Sequence, residues 1–164
     1  MKKLLFIFGT RPEAIKLAPI ILESKASKIF NVIVCITAQH RELLDDVLEF
    51  FNIIPDYDLN LMKKNQSLSE ITFNGIKKVD KVIKKEKPNL TITQGDTTTA
   101  FIGSLVSFYY KHPIAHVEAG LRSHNIYSPF PEEANRKFIS NITNLHFAPT
   151  QISKRNLINE SIKN

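Results

Sequence analysis

Lys3-Leu4-Leu5-Phe6-Ile7-Phe8-Gly9-Thr10-Arg11-Pro12-Glu13-Ala14-Ile15-Lys16 is an apolar run of strand length that stops at a glycine and turns at once into a helix. Gly9 lets the backbone leave the strand sharply. Pro12 suits the first turn of a helix, where a missing N–H costs nothing. Ala14, Ile15, Leu17, Ala18, Ile21 and Leu22 then supply an apolar face to lay against a sheet. The same grammar recurs along the chain. Strands are expected at Asn31–Ile36, Asn89–Thr93, Pro113–Val117 and Leu145–Ala148. Helices are expected from about Arg41 to Phe51, from Leu68 to the stop at Pro88, over Thr97–Tyr110, over Glu132–Thr143, and from a cap at Thr150 towards Asn164. Ser67-Leu68-Ser69-Glu70 has the spacing of a capping box. Pro55 to Leu61 reads as a loop. Five strands alternating with helices predict an α/β fold, a doubly wound parallel sheet of Rossmann-like type.

In such a sheet the carboxyl ends of the strands share one edge, so the polar clusters after the strands converge on one crevice. Those clusters are Gly9 to Lys16, Thr37-Ala38-Gln39-His40-Arg41, Gln94-Gly95-Asp96-Thr97-Thr98-Thr99 and His116-Val117-Glu118-Ala119-Gly120-Leu121-Arg122-Ser123. Convergent Arg, Lys, Asp, Glu and His over a buried sheet point to phosphate recognition and acid/base chemistry. N–H groups at the head of the first helix, with Arg11 and Lys16, suit a diphosphate. The glycine spacings of a dinucleotide fingerprint or a Walker loop are absent, so neither NAD nor ATP is supported.

At 164 residues and 43% hydrophobic the chain can bury one sizeable core, which sets one domain, 1–164. No window has the length of a membrane span, and the short apolar run after Met1-Lys2-Lys3 is no signal peptide. The single cysteine, Cys35, sits among Val32, Ile33, Val34 and Ile36 and reads as packing; no metal-ligand spacing appears, and a cytoplasmic setting is expected. The net charge of +6 comes largely from Lys77, Lys78, Lys81, Lys84, Lys85 and Lys87 on one face of one helix, a solvated face rather than a nucleic-acid footprint. Four of the five arginines, Arg11, Arg41, Arg122 and Arg136, fall in or beside the polar clusters, where a planar fork grips phosphate or carboxylate.

Asp96, by itself, reads as the cap of the following helix. Glu118 ends the run Ile114-Ala115-His116-Val117, where a partly desolvated carboxylate suits a general acid or base. Glu132 and Glu133 open a helix whose dipole favours anions, and Arg136 one turn later turns the balance towards a site. His116 and His146 read as core histidines.

Taken together, Gly9 to Lys16, Thr37 to Arg41, Gly95 to Thr99, His116 to Arg122 and Pro131-Glu132-Glu133-Ala134-Asn135-Arg136, with Pro55 to Asn60 and His146-Phe147-Ala148-Pro149-Thr150, resemble the non-hydrolysing UDP-N-acetylglucosamine 2-epimerases. The resemblance covers nearly the whole chain. It implies interconversion of UDP-GlcNAc and UDP-ManNAc by elimination of UDP to a 2-acetamidoglucal and re-addition, without a cofactor, in supply of cell-surface polysaccharide. It further implies half of a glycosyltransferase-B-type fold, with a C-terminal nucleotide-binding domain absent from this chain and a homodimer at full length.

By position the resemblance makes Asp96, Glu118 and Glu132 the catalytic carboxylates. Arg11, Lys16, Gln39, His40, Arg122, Glu133 and Arg136 become substrate-binding residues; Gln39 and Glu132 also match a regulatory substrate site. Thr93-Gln94 and Ala115 depart mildly from the family pattern, and Glu42 and Asn65 depart at the regulatory site. The spatial expectation is that residues 96, 118 and 132 meet around one sugar ring, facing Arg11 and Lys16. The competing readings are a non-catalytic module built on an epimerase half, and a hydrolysing epimerase or UDP-sugar glycosyltransferase.

Overall fold

The computed structural model describes residues 1–38, 41–61 and 66–162. Strands β1 (Lys2–Phe8), β2 (Phe30–Ile36), β3 (Tyr57–Asp58), β4 (Leu90–Gln94), β5 (Ile114–Val117) and β6 (Leu145–Phe147) form one sheet in the order β3-β2-β1-β4-β5-β6. Every pairing is parallel. Helices α1 (Arg11–Ala26), α2 (Arg41–Phe50), α3 (Leu68–Glu86), α4 (Thr98–Tyr109), α5 (Glu132–Ile142) and α6 (Gln151–Asn159) connect the strands. The order reverses between β1 and β4, the place where a doubly wound sheet opens a crevice beyond its strand ends.

The side-chain period of two along β1 divides the core. Leu4, Phe6 and Phe8 join Val34 and Ile36 under Ala14, Leu17, Ala18 and Ile21 of α1 and Leu44 and Leu48 of α2. Leu5 and Ile7 join Ile33 and Cys35 under Val79, Val82 and Ile83 of α3 and Ile102 and Val106 of α4. Burial pushes the Cys35 thiol up to about 12, with the nearby Asp58 and Asp56 carboxylates acting the same way, so it stays an inert thiol.

Several expectations are corrected. The sheet has six strands, because Tyr57–Asp58 within the expected loop pairs with Cys35 and Ile36; the Tyr57 hydroxyl is fastened by donation to Glu86. Of the apolar residues expected on α1, Ala14, Leu17, Ala18 and Ile21 form the buried stripe, while Ile15 and Leu22 lie off it and are exposed. Leu68 is likewise exposed, and the buried stripe of α3 is Gly75, Val79, Val82 and Ile83. The last helix stops at Asn159, short of the expected end, with Ser161 in a left-handed conformation. The capping box at Ser67 and Glu70 forms as expected. The lysines of α3 and Lys87 are exposed. No helix among the described residues is long and apolar enough to cross a membrane.

Candidate active site

Since all six strands run the same way, Gly9-Thr10, Gly95-Asp96, Glu118 and Ala148-Pro149-Thr150 all leave the sheet at one edge. Glu118 follows β5 with φ +67, a left-handed conformation rare for a residue with a side chain. That turn is held by its partners. Lys16 of α1 donates to both carboxylate oxygens at 2.6 and 2.7 Å, and the Gln94 amide at the end of β4 donates to Oε2. Glu118 is 23% exposed and Lys16 46%, so the pair stands at the mouth of the crevice rather than under it. Beyond it opens a cleft of about 870 Å³, lined by Lys16, Glu118, His146, Pro149, Thr150 and Lys154 among others.

Asp96 lies on the adjacent loop. A Cβ placed on Gly95 would sit 3.7 Å from Glu118 Oε2, which shows how closely that loop passes. The Asp96 carboxylate is gripped by Arg136, whose Nε and Nη2 reach Oδ2 at 2.9 and 2.6 Å. Arg136 Nη1 donates to Glu133 Oε2 at 3.0 Å, and Asn135 donates to the Asp96 carbonyl at 2.8 Å. Burial by itself would push Glu133 up, but the Ser123 N–H and the Arg136 guanidinium outweigh it, and the carboxyl is held below its usual range. Glu132, one residue earlier, is half-buried at the head of α5 and makes no hydrogen bond or ion pair with another described residue.

The structure thus gathers Lys16, Gln94 and Glu118 into one cluster, with Asp96, Glu133 and Arg136 into another beside it. It corrects three sequence expectations. Asp96 is not the cap of α4: Thr97 is, accepting from the Ala100 N–H at 3.0 Å, which leaves the Asp96 carboxylate free for Arg136. The turn into α1 does not offer the N–H groups of Gly9 and Thr10 to a ligand, because both donate to Glu13 Oε2, at 3.0 and 2.7 Å. Arg11 is exposed and lines a separate hollow with Ile15, Asp46, Val47, Phe50 and Phe51, so it does not share the cleft of Lys16.

Arg122 is turned inward with a side chain 0% exposed, bonded to Glu160, Ser140 and its neighbour's carbonyl, so that it fastens α6 to α5. Glu133 is also wholly enclosed, its Oε2 accepting from Arg136 and the Ser123 N–H while Oε1 has no partner among the described residues. Gln39, His40 and Asn65 lie outside the described residues, as does the Glu42 side chain.

His116 is buried, as its strand position led one to expect. His146 is half-buried, donating to Ser140 O at 3.1 Å, and burial lowers it. Two participants were not singled out from the sequence. Gln94 had a signal, being an amide at the end of a strand directly before Gly95. Glu13 had one too, because Thr10 and Glu13 stand at capping-box spacing.

With this geometry in view, the comparisons are specific. Residues 22–164 match the family model described as UDP-N-acetylglucosamine 2-epimerase. The UDP-N-acetylglucosamine 2-epimerase of Neisseria meningitidis is 57% identical over 160 residues, covering 98% of this chain and 43% of that protein. The enzyme of that name from Bacillus subtilis is 53% identical over 165 residues, 99% of this chain and 43% of its own length. A crystal structure of UDP-GlcNAc 2-epimerase from Neisseria meningitidis bound to UDP-GlcNAc superposes with a TM-score of 0.95 at 56% identity, over 98% of this chain and 43% of that one. The chain therefore spans less than half the length of the relatives it matches. Sequence and fold together place this chain in the UDP-N-acetylglucosamine 2-epimerase family.

Proposed function

We propose that the chain is the amino-terminal, sugar-facing domain of a non-hydrolysing UDP-N-acetylglucosamine 2-epimerase, completed by a second domain that grips the nucleotide. The reading rests on one observation above all: Glu118, in a left-handed turn at the sheet edge, is aimed by Lys16 and Gln94 at the mouth of the cleft. Removing the weakly acidic C2 proton of an N-acetylhexosamine needs a positioned carboxylate, and departing UDP needs cations facing its new charge. Glu118 and Asp96 supply the first, with Glu132 at the head of α5 as the third carboxylate. Lys16 holds the Glu118 carboxylate in place, and Arg136 that of Asp96.

The bound UDP-GlcNAc of the Neisseria meningitidis structure supports the substrate class. The complete enzyme works in the cytoplasm as a homodimer, and the one cysteine of this chain is a buried free thiol.

The test is turnover in deuterated water, followed by nuclear magnetic resonance at C2. The 164-residue chain by itself shows no conversion of UDP-GlcNAc; joined to the remaining segment of a relative, it yields UDP-ManNAc with deuterium at C2. Glu118→Gln in the joined protein lowers kcat by about 10²–10⁴-fold, the usual worth of a general acid or base. Release of free N-acetylmannosamine would turn the reading to a hydrolysing enzyme, and near-normal turnover of the Glu118 variant would remove Glu118 from the chemistry.

A further inference from the structure

The carboxylate of Glu13 is 1% exposed and accepts four hydrogen bonds. Three reach Oε2, from the N–H of Gly9 at 3.0 Å, the N–H of Thr10 at 2.7 Å and the Thr10 hydroxyl at 2.8 Å. The fourth reaches Oε1 from the Thr97 hydroxyl at 2.8 Å. The first three come from the turn between β1 and α1, the anion nest that nucleotide-binding folds keep open for a phosphate. Here the nest is filled from within. The fourth crosses the switch point of the sheet to the cap of α4, and Thr97 is the residue after Asp96. Glu13 also lies one helical turn before Lys16 on α1.

The packing around it leaves little slack. A Cβ on Gly9 would meet Thr37 Oγ1 at 2.1 Å and Thr99 Oγ1 at 2.8 Å, and those two hydroxyls are themselves bonded at 2.7 Å. The ends of β1 and β2 and the first turn of α4 are thus interlocked beneath the site. Burial pushes the Glu13 carboxyl up, and its donors at Gly9, Thr10 and Thr97 only partly offset that. Burying a carboxylate is costly, and a turn that needed only a helix cap could be served by Thr10 with an exposed partner.

We infer that Glu13 is the positioning residue of the candidate site, an internal anion that takes the place of a phosphate at the head of α1 and sets the Asp96 loop against the helix that carries Lys16. This builds on the proposed roles of Asp96 and Lys16.

Nuclear magnetic resonance of the 164-residue chain tests the coupling without any need for turnover, so its outcome and that of the epimerase assay are separate. In Glu13→Ala the amides of Gly9, Thr10 and Ala100 and the carboxyl carbon of Asp96 shift, and the Ala100 amide exchanges about tenfold faster, the effect of one hydrogen bond of ordinary net strength. Glu13→Gln can accept at the turn with its oxygen and donate to Thr97 with its nitrogen; it returns the Asp96 carboxyl to the wild-type position. Resonances of β6 stay put in both.

Should Glu13→Ala fail to fold, Thr97→Val cuts only the α4 arm and Thr97→Ser restores it, with the same Asp96 readout. If Gly9 and Thr10 shift while Asp96 does not, Glu13 merely caps α1 and the inference fails.

Discussion

The ionisation of His116 is bound to the fold. A carbonyl can only accept, so the 2.7 Å contact with Gly95 O places the proton on Nε2. Nδ1 is then a buried lone pair with no partner among the described residues. A second proton there would create a buried, unpaired charge, and burial accordingly lowers His116 from 6.5 to about 4, with His146 and Arg122 acting the same way and Gly95 and Asp96 opposing. Between those two values the unfolded chain binds a proton that the folded chain refuses. Stability from this residue is therefore complete above 6.5 and is lost as pH falls towards 4.

Urea unfolding at pH 7 and pH 4.5 should show a loss of about 2–3 kcal/mol in the wild type that is absent in His116→Gln, after allowance for the other acid-side groups. Equal losses in both proteins would show that His116 does not carry the effect. The sequence announced this histidine as core from its apolar neighbours alone. It could not announce that Arg122 would be buried or that Arg11 would face α2, because which way a long side chain swings from a loop depends on partners far away in number, here Glu160 and Ser140 for Arg122.

Among the elements, α6 is held at one point more than any other. Gly120 has φ +87, and a Cβ there would stand 2.2 Å from Ser153 O. Asn156 donates to the Gly120 carbonyl at 2.9 Å, and Arg122 reaches Glu160 from the same loop. Gly120→Ala therefore meets both a left-handed backbone and a rigid carbonyl, and α6, which lines the cleft through Lys154, must lift. The expected loss is about 2–4 kcal/mol by chemical denaturation, with faster hydrogen exchange concentrated in residues 150–160. A loss within the spread of ordinary surface changes would mean that α6 rests on other contacts.

At this scale the sequence was legible where an element carried its own period or cap, as in β1 and α3. It was silent on β3, two residues long, which exists only because β2 offers an edge and Glu86 a partner for Tyr57. It overran α6, whose end is set by backbone conformation at Ser161. Of the site, the strand-end carboxylates could be read, since topology alone brings strand ends together. The lattice of donors beneath them could not, since it runs between β4, β5, α1 and α5.

For the molecule as a whole, the decisive fact is that two apolar clusters share one set of strands. Leu4, Phe6 and Phe8 look to α1 and α2, while Leu5 and Ile7 of the same strand look to α3 and α4. Neither cluster can dissolve without stripping the cover from β1 and β2, whose backbone groups are satisfied only within the sheet. Hydroxyl pairs under α4 add to this, because Thr91 with Ser107 and Thr93 with Ser104 would be exposed as unsatisfied groups if either layer left.

The chain should therefore unfold in a single cooperative step even though it spans only 43% of its relatives' length. Leu44→Ala on one side and Ile83→Ala on the other, both 0% exposed, each remove about 2–5 kcal/mol. If the layers are one unit, each variant moves far-UV ellipticity, tyrosine fluorescence and the exchange of amides on both sides of the sheet to the same lower midpoint. A Leu44→Ala protein in which α3 and α4 keep the wild-type midpoint would mean that the two faces fold separately. In that case the Lys16–Glu118 bridge, from α1 to the end of β5, would join two independent units rather than two points of one.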